Sequence, residues 1–186
     1  MKFNDIKPDK GKLLISAPNL TDFFKRTVII LVENNENGSL GFVINKPLKY
    51  KVNEIIEGFP DFNSGVYIGG PVQTDVVNFI HTAGDIIEGA YEIEKGIYWG
   101  GKYESVKLLY ESGKLNPDKF IFFLGYAGWS PNQLTEELIA NSWFVTDATP
   151  DIVFNTESQN LWQKVLRNMG GEYSIMSTFP EDPTVN

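Results

Sequence analysis

Two runs of consecutive apolar residues limit the fold more tightly than any other feature of the sequence: 27–32, Thr-Val-Ile-Ile-Leu-Val, and 120–124, Phe-Ile-Phe-Phe-Leu. Each is strand-sized and neither alternates with polar residues. A strand built from either is apolar on both faces and belongs in the buried centre of a sheet. No apolar stretch approaches the roughly 18 residues that a membrane-spanning helix needs.

Turn signals divide the rest of the chain. Residues 13–17 read as a short strand stopped by Pro18. The cluster Asn34-Asn35-Glu36-Asn37-Gly38 returns the 27–32 strand into a second one over 40–45, a hairpin with a longer loop that Pro47 ends. Residues 51–57 carry Val52, Ile55 and Ile56 at helical spacing ahead of Gly58. Strands follow at 66–68, 76–81 and 97–99, then a helix over 103–112 with Val106, Leu109 and Tyr110 on one face. After Trp129 a helix runs to about residue 141, followed by a strand at 143–145 and an amphipathic helix over 158–169 closed by Gly170-Gly171. Hairpins precede the first long helix, and strict βαβ alternation is absent. The expected fold class is α+β, with a mixed sheet rather than a doubly wound parallel one. One domain spans residues 1–186, with its core at about 11–170 and a tail that frays from about 180.

With 186 residues, 42% of them hydrophobic, the chain can bury one substantial core without staples. It contains no cysteine, which removes disulfides, thiolate zinc sites, iron–sulfur clusters and cysteine nucleophiles and fits a reducing compartment. The polar opening residues lack an apolar signal core, so a cytoplasmic location away from membranes is expected. The formal charge of −8 disfavours direct DNA binding, because that affinity comes largely from Lys and Arg on phosphates. The one basic run, Lys46-Pro47-Leu48-Lys49-Tyr50-Lys51, reads as a solvated loop.

Candidate chemistry is sparse. Gly125-Tyr126-Ala127-Gly128-Trp129 reads as a turn that carries a buried strand into a helix, able to present backbone N–H groups and two flat rings to a ligand. Its structural explanation is good. Ser130 suits the N-cap, Pro131 the first helical position, and Gln133 completes a capping box. Gly69-Gly70-Pro71 is a sharp bend that either faces an anion or simply joins two strands. His81 is the only histidine and has no nucleophile elbow to serve, so a core or edge role is favoured. No metal site is expected, nor any cofactor. The carboxylates, Glu136 and Glu137 among them, read as a solvated face. Arg26, just before the first apolar run, pairs with a carboxylate or binds an anion.

Several segments together resemble one family. Gly11-x-Leu13-Leu14-Ile15-Ser16-Ala17-Pro18, Phe24-Lys25-Arg26-Thr27-Val28, Gly38-x-Leu40-Gly41-Phe42-Val43-Ile44-Asn45-Lys46-Pro47, Gly69-Gly70-Pro71-Val72 and Gly125-Tyr126-Ala127-Gly128-Trp129 occur in the order found in AlgH/YqgE proteins. Members of that family are bacterial proteins known as uncharacterised or described as transcriptional regulators. The resemblance covers about residues 11–170. It implies one domain with a mixed, partly barrel-like sheet flanked by helices, and no established activity or cofactor. Many relatives have Glu-His or Asp-His after the first long strand; here Val32-Glu33-Asn34 stands there, so no histidine role carries over. Leu40 replaces a more usual alanine.

These observations favour a regulatory module that binds a small anionic ligand or a protein partner, with Arg26, Asn45, Gly69, Gly70, Tyr126, Gly128 and Trp129 as candidate site residues. The alternative is a hydrolase or transferase for a small anionic substrate that uses Arg26, Asn45 and the amides of both glycine turns. For that chemistry the two turns must converge on one pocket.

Overall fold

The structure is a computed structural model and describes residues 6–155 and 157–181. The chain opens with strands β1 (Lys12–Ser16), β2 (Val28–Asn35), β3 (Gly38–Val43) and the two-residue β4 (Pro47–Leu48). A single helical turn, α1 (Val52–Ile55), leads to β5 (Gly65–Ile68) and the long β6 (Val72–His81). Strands β7 (Tyr91–Glu94) and β8 (Ile97–Trp99) precede α2 (Tyr103–Glu111) and β9 (Phe120–Trp129). Helix α3 (Gln133–Ile139), strand β10 (Trp143–Asp147) and helices α4 (Pro150–Asn155), α5 (Ser158–Met169) and α6 (Gly171–Met176) complete the described chain.

The ten strands form one mixed, curled half-barrel sheet in the order β10-β1-β2-β3-β9-β6-β8-β7, with β5 on β9 and β4 on β5. The α+β expectation, with hairpins ahead of the helices, matches this architecture. The two apolar runs are central strands. In β2, Val28, Ile30 and Val32 join a core under α5, while Ile29 and Leu31 face a second core under α3. Helix α5 buries Leu161, Trp162, Val165 and Leu166 as one stripe, and the Trp162 indole N–H donates to the Ser16 carbonyl at 2.9 Å. A third core, containing Phe59, Phe62, Phe79, Val106 and Phe122, lies between α2 and the other half of the sheet.

Strand β9 joins the two halves. Residues 121–124 pair parallel with β5, and the same stretch pairs antiparallel with β6. Further on, residues 127–129 pair with β3. Strands β5 and β6 are therefore consecutive in sequence but lie on opposite edges of β9, about 9.6 Å apart at two strand spacings. The four peptide steps from Ile68 to Val72 reach about 13–14 Å at most. The link must run almost straight across the β9 backbone.

Gly69 and Gly70 make that crossing possible. A Cβ on Gly69 would sit 2.3 Å from the Gly125 carbonyl oxygen, and one on Gly70 would sit 2.0 Å from the Tyr126 carbonyl carbon. Beneath them Gly125 adopts φ +70°, a left-handed conformation open to glycine. The pleat shifts by one residue there. Ile121 and Phe123 face the α5 core before Gly125; after it Tyr126 packs on that core while Ala127 and Trp129 face the α3 core. A shift of one residue reverses which side chains face which layer.

Two expectations are corrected. Residues 125–129 are not a turn: they continue β9, because β3 takes up the edge that β5 leaves. Ser130 is not the cap of the following helix. Helix α3 starts at Gln133 with Asn132 in the N-cap position at φ +67°, and no side chain caps it. Half of the capping box survives, since the Ser130 N–H donates to Gln133 Oε1 at 3.0 Å. The polar opening residues 1–5 lie outside the described residues, as does most of the tail expected to fray from about 180.

Candidate functional site

The seven candidate residues fall in three places. Gly69 and Gly70 are buried in the crossing, where the Gly69 N–H donates to Leu124 at 2.9 Å and its carbonyl accepts from Val43 at 2.8 Å. Tyr126, Gly128 and Trp129 line a shallow groove of about 560 Å³ with Val72 and the β2–β3 turn. Only Tyr126 and Gly128 present much surface there. Trp129 is 6% exposed, and its indole N–H donates to Glu137. Arg26 and Asn45 stand at the start of β2, outside that groove. The glycine segments do meet, backbone against backbone: a Cβ on Gly69 would strike the Gly125 carbonyl and one on Gly70 the Tyr126 main chain.

Asn45 is fully engaged. Its Oδ1 accepts from the Val28 N–H at 2.9 Å and its Nδ2 donates to the Arg26 carbonyl at 2.8 Å, which extends the β2 pairing by one side chain. Arg26 adopts φ +50° and lies with its guanidinium carbon 4.8 Å from the centre of the Trp162 ring. The same guanidinium donates to the Phe179 carbonyl at 2.5 Å. The cation thus meets a ring face and a main-chain oxygen, and among the described residues it forms no ion pair with a carboxylate.

His81 is fully buried and holds both ring nitrogens in hydrogen bonds. Nδ1 accepts from the Ala83 N–H at 3.2 Å, which leaves Nε2 to donate to the Gly100 carbonyl at 3.1 Å. The ring lies between Tyr98 and Phe120, with centroids 5.7 and 5.2 Å away. Burial pushes its pKa down to about 4, against a smaller upward pull from the Gly100 carbonyl. An imidazole so enclosed is a neutral core residue.

The basic run is tied down at two of its three lysines, while Lys49 is exposed. Lys46 donates to the Phe23 carbonyl, lies over the Phe23 ring at 4.4 Å, and is held below the ordinary lysine range by burial. Lys51 pairs with Asp61 at 3.5 Å.

The reading of the carboxylates as a solvated face fails at Glu137. It is half-buried and accepts from three donors: Trp129 Nε1 at 2.8 Å, Trp143 Nε1 at 2.6 Å and Gln133 Nε2 at 2.9 Å. Phe24 stacks on Trp129 and meets Trp143 edge-on, completing an aromatic cluster that fixes α3 to the sheet.

A deeper cleft lies where β1 ends and β10 begins. It measures about 640 Å³, a size typical of small-molecule sites. Ala17, Pro18, Leu20, Phe144, Met176 and Phe179 give it apolar walls. The end of α3 supplies Ala140 and Asn141, and the turn before β2 supplies Lys25. That turn is built locally: the Phe24 N–H donates to Asp22 Oδ1 at 2.8 Å and the Lys25 N–H to the Asp22 carbonyl at 3.1 Å. Arg26 holds the opposite wall through Phe179. None of the cleft's lining residues was singled out from the sequence as a site. The available signal was length. Residues 17–27 separate two antiparallel neighbours, whereas a hairpin needs about two to five residues.

The half-barrel sheet, its glycine crossing and its single enclosed histidine define the class of domain. The chain belongs to the AlgH-like family, whose sequence profile matches residues 13–174. A UPF0301 protein of Chlorobium phaeobacteroides is 45% identical over 181 residues, covering 97% of each chain. A UPF0301 protein of Cytophaga hutchinsonii is 39% identical over 95% of this chain and 98% of its own. Among solved structures, protein DIP2367 from Corynebacterium diphtheriae superposes with a TM-score of 0.79 at 25% identity, covering 96% of this chain and 95% of that one. The solution structure of the AlgH protein from Pseudomonas aeruginosa gives 0.73 at 30% identity, covering 97% and 98%.

Proposed function

We propose that the protein is a binding module for a small, largely apolar molecule, with the cleft between the β1–β2 connection and α6 as its site. The observation that carries this is the cleft itself: about 640 Å³ with apolar walls drawn from four separate parts of the chain. A regulatory role would then act through occupancy of the cleft. A hydrolase or transferase has less support. His81 is enclosed, the Gly69 amide is engaged within the sheet, and Arg26 and Asn45 hold backbone and ring partners. Direct DNA recognition has less still, since the chain carries a net charge of −8 and Lys46 is held by Phe23.

Calorimetric titration with small apolar probes tests the site. Ala140 is exposed on the cleft wall, so Ala140→Trp fills the space without disturbing the core. Probe binding to the native chain that disappears in Ala140→Trp, with the unfolding midpoint unchanged, is the expected result. Binding of equal strength in both proteins would place the site elsewhere.

A further inference from the structure

We propose that the cleft's ligand is an amphipathic monocarboxylate, an apolar chain ending in a single carboxylate, with Lys25 as the residue that reads the head group. The inference rests on the cleft being the binding site and adds the ligand's chemistry. Two features of the lining carry it.

The first is the division of the surface. Ala17, Pro18, Leu20, Phe144, Met176 and Phe179 offer no charge and few polar atoms, so the body of the ligand must be apolar. Burying such a body gains affinity with every methylene added, at about fourfold per group. A sugar, a nucleoside or a peptide of ordinary polarity would leave its hydrogen-bonding groups without partners along those walls.

The second is the charge on the rim. Lys25 is the only cation in the lining, is half-buried, and forms no ion pair among the described residues. Its neighbour Arg26, by contrast, is held by Trp162 and Phe179, and Lys46 by Phe23. A lone ammonium beside an apolar cleft selects a negative head group over a neutral or positive one. Glu181 also lines the cleft and sets the upper limit. With one cation and one carboxylate the rim carries no net charge, so a second negative charge on the ligand adds as much repulsion as attraction while costing more to desolvate, whereas a single carboxylate can pair with Lys25. The Asn19 and Asn141 amides, in the same lining, can donate to the second carboxylate oxygen.

The test titrates the full chain with octanoate, octan-1-ol, octyltrimethylammonium and octyl phosphate, and repeats the series with Lys25→Gln. Octanoate is expected to bind about fivefold more tightly than octanol, the discrimination a partly exposed ion pair supplies. The cation and the phosphate ester should bind more weakly than octanoate. Decanoate should bind about fifteenfold more tightly than octanoate. Lys25→Gln should bring octanoate down to the level of octanol and leave octanol unchanged. Equal binding of octanoate and octanol to the native chain would overturn the carboxylate and leave the cleft standing. Tighter binding of octyl phosphate would overturn the limit to a single charge. Octanoate binding that Lys25→Gln does not weaken would remove Lys25 from the site. No binding by any of the four would sink the cleft as a site together with its ligand class.

Discussion

At position 81 the fold holds an imidazole in its neutral form, enclosed by Tyr98 and Phe120 and tied to Gly100 and Ala83. Its pKa is about 4 in the folded chain and about 6.5 when unfolded. Between those values the unfolded chain carries the extra proton, so acidification favours unfolding. This contribution is fully present above about pH 6.5 and is lost as the pH falls through about 4. It amounts to at most about 3 kcal/mol. Urea unfolding at pH 7.5 and pH 4.5 should show that loss in the native chain and a much smaller one in His81→Gln. Equal losses in both would assign the acid sensitivity to other groups. The buried role of His81 was legible in the sequence, because a lone histidine at the end of an apolar strand has nothing to act with. Glu137 was not legible, since its three donors come from β9, β10 and its own helix. Only the assembled fold brings two indoles to one carboxylate.

Among the elements, β9 shows how a motif can be recognised for the right residues and the wrong shape. Gly125-Tyr126-Ala127-Gly128-Trp129 has the composition of a turn, yet it continues as strand because a new neighbour, β3, replaces β5 beyond Leu124. Such an exchange of partners is a property of the sheet and leaves no trace in local periodicity. Gly69-Gly70 is the other half of the same device. Its close approach to the β9 backbone accounts for both glycines, so neither anion binding nor catalysis is needed to explain them. Replacing Gly70 by alanine places a methyl against main-chain atoms that have no rotamer to yield with. The expected cost is about 3 kcal/mol or more, at the upper end for overpacked sites. It is measurable as a fall in the urea midpoint, whereas Gly58→Ala, with open space around its Cβ, should cost only its left-handed strain of about 1–2 kcal/mol. Near-equal losses at the two positions would contradict the crossing as described.

At the scale of the whole molecule, a net charge of −8 surrounds a fold with no membrane-length apolar helix among its described residues. The same charge opposes approach to any polyanion. Gel shift with duplex DNA at about 150 mM salt should show no retention, for the 24 carboxylates outnumber the 16 basic residues that could displace counterions. A salt-dependent shift that persists there would require a basic surface that the charge balance argues against.

The passage of the chain over β9 also has a consequence in time. Strands β5 and β6 leave the ribosome with an empty lane between them, and their proper neighbour emerges only some forty residues later. Until it arrives, both strands expose inner edges able to pair with each other or with another chain. The sheet cannot close from its N-terminal end forwards, and folding has to wait for β9. A chain released before residue 129 would therefore be prone to aggregate, rather than fold as a smaller version of the domain.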